Sequence, residues 1–180
     1  MEQLLRKLNY KGTSEILISN APIELTLIIE AISSETVCIQ DVNQLLQIEF
    51  ALFFVLDQKS IDDIVPKIVS RLIGDCTIWF CYPKKSSVKY RCNIDRDHGW
   101  QILGLYGFEP VRQVAINEDF SAIRFRKVEY IKNITRSSDM ALTEEAKKRL
   151  YHMTDIAVVH VWRHCQDASD PFHLFLCTKS

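Results

Sequence analysis

A stretch near the middle of the chain, IDDIVPKIVSRLIGDCTIWFCYPKK from Ile61 to Lys85, restricts the folds open to it more than any other. Ile61, Ile64, Val65, Ile68, Val69 and Leu72 recur at three- and four-residue spacings, the period of one apolar helical face resting on a core. Ser60 is the expected N-cap, with Asp62 and Asp63 suited to the positive end of the helix dipole and Pro66 near the first turn. Gly74 is expected to close the helix, since glycine enters the left-handed conformation without a Cβ clash. CTIWFCY is then apolar at nearly every position, as in a strand covered on both faces. A second apolar run, FALFFVL from Phe50 to Leu56, directly precedes the helix and completes a βαβ unit. Two such neighbouring strands predict an open, mostly parallel α/β sheet with helices on both faces.

The other segments extend that sheet. Leu4, Leu5 and Leu8 predict a short amphipathic helix before a turn at Lys11-Gly12. EILISNAP, Glu15 to Pro22, reads as a strand running into a helix that has Pro22 in its first turn and Asn20 or Ala21 as cap. That helix continues through Leu25, Ile28, Ile29 and Ile32, and TVCIQD, Thr36 to Asp41, follows as a strand ending in a carboxylate. VNQLLQIE is too short for a crossover helix with two loops, so one element of the usual alternation is expected to be missing. After Pro83 the polar run KKSSVKYRCNIDRD predicts a loop, and Asn93, Asp95 or Asp97 the cap of a helix carrying Trp100, Ile102, Leu103 and Tyr106 that stops at Gly107. Val111 to Ile116 and Ser121 to Val128 alternate as strands joined by Asn117-Glu118-Asp119, an antiparallel hairpin. From Asn133 the texture changes to a linker, a polar helix TEEAKKRLYHM capped by Thr143, and two strand-like runs around CQDASDP. The expected organisation is an α/β domain over residues 1–132 and a small helix-plus-hairpin α+β appendage over 133–180.

At 180 residues and 47% hydrophobic content, there is room for one domain with a real core and not for a second of full size. A net charge of -1 gives no electrostatic case for nucleic acid or an anionic membrane as partner. No apolar run approaches the roughly 20 residues of a membrane span, and MEQLLRKLNYKG has no secretory apolar region, so the chain reads as cytoplasmic. Its six cysteines show no CxxC spacing and are expected to be reduced.

These residues resemble the class I, S-adenosylmethionine-dependent methyltransferase fold in an abridged, Rossmann-like form. RLIGDCTIWFCY looks like that fold's late central strand, and LYGFEPVRQVAINEDFSAIRF like its last helix end and antiparallel hairpin. More narrowly, Leu8 to Arg126 is similar to a small bacterial family of methyltransferase-like proteins of undefined role. The shared features are a KLxxKG opening, a first strand ending in Asn20-Ala21-Pro22, a central strand ending in Pro83-Lys84-Lys85, and the late run from Asp119 to Phe125. In methyltransferases of this fold the first strand ends in a glycine-rich turn, because the cofactor approaches the backbone closely and the helix N-terminus faces its carboxylate. Here that turn is Ile18-Ser19-Asn20-Ala21-Pro22, with no glycine and one fewer N–H. S-adenosylmethionine is therefore not expected in its standard pose, although Asp41 stands where an acidic residue holds a ribose in nucleotide-binding sheets.

Ligands of open α/β sheets bind outside the carboxyl ends of the strands. That rule nominates Asn20, Asp41, Asp57, Tyr82, Lys84, Lys85, Asp97 and His98 as ligand-binding candidates. Lys84 and Lys85, with Lys89 and Arg91, suit a small anion or nucleotide, and equally make an ordinary solvated basic loop. Asp95, Asp97 and His98 contain an acid/base set, and their carboxylates equally suit a helix start. In the tail, His160, His164, His173 and Cys177 are metal-capable, but on a strand residues four apart are separated by about 13 Å, so no metal site is expected. Trp162, Phe172, Leu174 and Phe175 give the tail hairpin more apolar surface than it can hide alone, which predicts a homodimer joined through residues 156–178. The function expected is a binding or interaction module without methyl transfer. The alternatives are a methyltransferase with an altered cofactor pocket and an anion- or nucleotide-handling enzyme using Lys84, Lys85 and His98.

Overall fold

In the computed structural model, which describes residues 2–152 apart from Glu35 and Arg136, the chain alternates helices and strands. The elements are α1 (Glu2–Lys7), β1 (Glu15–Ser19), α2 (Thr26–Ser33), β2 (Val37–Ile39), β3 (Ile48–Phe54), α3 (Gln58–Val69), β4 (Leu72–Pro83), α4 (Gln101–Leu105), β5 (Phe108–Ala115), β6 (Phe120–Lys127) and a last helix, α5, over 144–152. The strands form one sheet in the order β2-β1-β3-β4-β6-β5. The first four are mutually parallel, and β6 is inserted antiparallel between β4 and β5. The mostly parallel sheet with its antiparallel hairpin is therefore as expected. So is the missing element, because only a 3-10 turn at Val42–Gln44 separates β2 from β3.

Both faces of the sheet are covered. One core joins Leu17, Ala51, Phe53, Ile78 and Phe80 to Ile61, Val65 and Ile68 of α3 and Leu103 of α4. The other joins Ile16, Ile18, Leu52 and Trp79 to Leu8 beside α1 and to Leu25 and Ile32 around α2. Every residue of β4 from Cys76 to Pro83 is buried, which is why that run carries no alternation. The Trp79 indole N–H donates to the Leu8 carbonyl at 2.8 Å, fixing the end of α1 to the sheet.

Several local expectations are corrected. The N-cap of α3 is Asp57, whose carboxylate accepts the Ser60 N–H at 2.8 Å, so the helix starts before the apolar period does. The Ser60 hydroxyl donates to the same oxygen at 2.7 Å. Pro66 lies inside the helix rather than in its first turn, on the exposed side where the freed carbonyl can reach water. α3 ends at Val69, and Gly74, with φ of 52°, lies within β4. There the step from Leu72 to Thr77 spans only Ile48 to Phe50 on β3, so the glycine serves a bulge and not a helix stop. α4 is shorter than expected, begins after Trp100 and has no side-chain cap. Gly107 ends it with φ of 81°, as predicted.

Thr143 does cap the final helix, accepting the Ala146 N–H at 3.1 Å. The buried Glu109 of β5 ties this segment down: one carboxylate oxygen accepts from Leu142 N–H, Thr143 N–H and the Thr143 hydroxyl at 2.8, 2.6 and 2.8 Å. Cys38, Cys76, Cys81 and Cys92 are free, and no described helix is long and apolar enough to cross a membrane. The expected tail hairpin, its dimer contact, and His160, His164, His173 and Cys177 lie outside the described residues.

Candidate functional site

The strand order reverses between β1 and β3, since the chain moves from β1 outward to β2 and then returns to β3 on the other side. The crevice above their carboxyl ends is where this architecture binds ligands. Its first wall is the turn after β1. Asn20 has φ of 58°, the left-handed conformation that asparagine tolerates better than most side chains. It is thus a substitute for glycine in backbone shape, and not the helix cap that its side chain suggested. Pro22 follows in an extended conformation, then a 3-10 turn at Ile23–Leu25, and α2 opens only at Thr26. The Leu25 N–H is already bonded to the Pro22 carbonyl at 2.9 Å and the Thr26 hydroxyl to the Ile23 carbonyl at 2.6 Å. The positive end of α2 is therefore displaced from the strand end. Beside this turn lies a depression of ≈ 650 Å³ bordered by Asn20, Thr26, Glu30, Ser33 and Gln40.

Asp41 does not border it. One of its oxygens accepts the backbone and side-chain N–H groups of Asn43 at 2.9 and 3.0 Å, capping the short turn at Val42–Gln44. Asp57 is likewise engaged at the start of α3, and these bonds hold its carboxyl below the ordinary range. The side chain of Asn93 adds to that cap by accepting the Gln58 N–H at 3.2 Å.

The loop between β4 and α4 forms the second wall. Lys84 donates its ammonium to the Asn117 carbonyl at 2.6 Å and its N–H to the Asp119 carbonyl at 2.7 Å, so it is held by the β5–β6 turn. Ser87 donates to Asp119 at 2.7 Å, and the Tyr90 ring meets Phe120 edge-on at 4.9 Å. The Tyr90 hydroxyl then donates to Glu24 at 2.7 Å. Glu24 follows β1 and Tyr90 follows β4, so this bond ties the turn after β1 to the loop after β4. It holds the Glu24 carboxyl below its ordinary range and pushes the Tyr90 phenol up.

Further along the loop, Asp95 gathers four donors. Lys85 Nζ lies at 2.9 Å, the N–H groups of Asp97 and His98 at 2.8 and 2.9 Å, and His98 Nδ1 at 2.8 Å. The Lys85 ammonium foremost, and the other donors with it, hold the Asp95 carboxyl far below the usual carboxylate range. Asp95 thus closes a loop and caps no helix. An ionised Asp95 accepts only, so His98 Nδ1 carries the hydrogen in this bond, on an exposed ring. Tyr82, by contrast, is buried edge-on against Trp100 and accepts from the Gln113 amide at 3.0 Å, and desolvation foremost raises its phenol to about 12.

The eight sequence candidates are accordingly not one constellation. Lys85, Asp97 and His98 cluster around Asp95, Asn20 borders the depression, Lys84 is drawn to the β5–β6 turn, Asp41 and Asp57 are caps, and Tyr82 is buried against Trp100. Sequence reasoning missed Glu24 and Tyr90, although Tyr90 is the one aromatic residue of the polar run. No group of three or more His, Cys, Asp or Glu side chains fit to hold a metal occurs among the described residues.

The sheet and its crevice define a Rossmann-like α/β protein, with a mostly parallel sheet and one antiparallel strand, β6. No protein-family model matches the chain, and no curated protein matches it. Among solved structures it is similar to a protein of the NADB-Rossmann superfamily from Streptococcus agalactiae, at 12% identity over 75% of this chain and 71% of that one, with a TM-score of 0.44. It is also similar to the B. subtilis M1A22 tRNA methyltransferase TrmK, at 9% identity over 94% and 88% of the chains and a TM-score of 0.44. The Methanococcus jannaschii fibrillarin pre-rRNA processing protein matches at 14% identity over 65% and 67%, with a TM-score of 0.43. At these values no residue role carries over from them, and the fold assignment rests on strand order and direction.

Proposed function

We propose that this chain is a cytoplasmic binding or interaction module built on a methyltransferase-like sheet, without methyl transfer. The observation that carries this reading is the turn after β1. Its backbone runs through Asn20, Ala21 and Pro22 into a 3-10 turn whose Leu25 N–H is already used, so no open helix N-terminus stands at the strand end to receive a cofactor carboxylate. The engaged state of Asp41 and the Tyr90–Glu24 bond between the turn after β1 and the loop after β4 point the same way.

A second reading, a methyltransferase with an altered cofactor pocket, is favoured by one observation. Asn20 keeps the left-handed backbone that a glycine would supply there, beside a depression of ≈ 650 Å³. Calorimetric titration of the full chain with S-adenosylmethionine and with its demethylated product separates the two. The first reading predicts no binding tighter than about 100 μM, roughly -5.5 kcal/mol. Saturable binding of either ligand below that value supports the second.

A further inference from the structure

The opposite edge of the sheet carries a cavity that the carboxyl-edge reading does not use. It has a volume of ≈ 530 Å³ and lies at the amino ends of β3 and β4, within the ordinary size range of small-molecule sites. Arg124 of β6 lines it, opposite Trp79 of β4 and Arg112 of β5. Two residues on and on the same face, Arg126 is neutralised by Asp75 through paired bonds of 2.7 and 2.5 Å. Among the described residues Arg124 has no such counter-ion. Its Nη2 makes one long bond, 3.4 Å, to the Thr77 hydroxyl oxygen, and its Nε is buried with no partner among the described residues. Burial, followed by the neighbouring Arg126, lowers its pKa, and the Asp75 carboxylate offsets this only in part.

The remaining lining completes a receptor for an oxyanion. Thr77 accepts from Arg124, so its own O–H is left to donate. Lys11 brings a second cation, against which Glu49 supplies one exposed carboxylate, while Asp75 is already matched to Arg126. Phe50 and Ile73 give an apolar wall. Cys76 is no competing nucleophile, because burial foremost pushes its thiol up to about 11. We propose that this cavity binds a small phosphorylated molecule, its phosphate held by the guanidinium fork of Arg124, the Thr77 hydroxyl and the Lys11 ammonium, with its body against Phe50 and Ile73. The tetrahedrally arranged oxygens of a phosphate can meet the guanidinium fork, the Thr77 hydroxyl and the Lys11 ammonium from three directions, whereas a planar carboxylate presents only two oxygens.

Thermal unfolding of the full chain, titrated with inorganic phosphate and with glycerol 3-phosphate at constant ionic strength and with chloride as control, tests this. Both phosphates are expected to raise Tm saturably, glycerol 3-phosphate at the lower concentration. Arg124→Gln should weaken the response at least about tenfold and Lys11→Ala several-fold. Should Arg124→Gln fail to fold, the near-isosteric Thr77→Val carries the test and should also bind several-fold more weakly. A wild-type response no larger than that to chloride, or variants that titrate like the wild type, overturns the proposal. The outcome is independent of the S-adenosylmethionine titration, which reads the other edge of the sheet.

Discussion

At the scale of single residues, the side chain at position 20 decides what the turn after β1 can be. A left-handed backbone costs most side chains about 1 kcal/mol or more, and asparagine less because its short amide bonds locally. Asn20→Ala is therefore expected to destabilise the chain by about 1 kcal/mol, while Asn20→Gly stays within about 0.5 kcal/mol of the wild type. Urea unfolding of both variants measures this, and an alanine variant as stable as the wild type would mean that the turn is not left-handed. The positive φ was not legible in the sequence, where Asn20 before Ala21-Pro22 looks like a helix cap. Asp57 and Ser60 were similarly indistinct. Both are good capping types, and only the hydrogen bonds to Asp57 show which of them starts the helix.

Among the elements, those with an uninterrupted apolar run or a firm period were legible, and those set by partners distant in sequence were not. The run from Cys76 to Tyr82 could only be a central strand, and β3 followed from the same logic. The length of α4 depended on the loop before it, which Asp95 closes by binding Lys85 and His98, a contact no local pattern encodes. That loop has a testable pH dependence. With its folded-state pKa depressed, Asp95 contributes stability that is present above the unfolded value of about 3.9 and is lost as pH falls below it. Asp95→Asn should therefore be less stable than the wild type at neutral pH, with the difference shrinking progressively in acid below about pH 4. Denaturant midpoints of both proteins across that range check it, and a difference that widens in acid would contradict the assignment.

For the whole molecule, the layered sheet was legible because alternating helices and buried strands admit few arrangements. That β6 rather than β5 lies against β4 was not, since both strands alternate and only their pairing distinguishes them. The candidate site was legible as a location and not as a set of contacts. The chain edge that should hold a ligand is given by topology, but whether Asp41, Lys84 and Lys85 are available depends on partners such as Asn43, Asn117 and Asp95. The account as a whole holds that the cradle above β1 and β3 is engaged by the chain's own groups. Its most direct test is an amide nitrogen–proton correlation spectrum of the labelled full chain, recorded during titration with S-adenosylhomocysteine. The account predicts that the signals of Asn20, Ala21, Ile23 and Tyr90 stay in place, and saturable movement of those four signals together would contradict it.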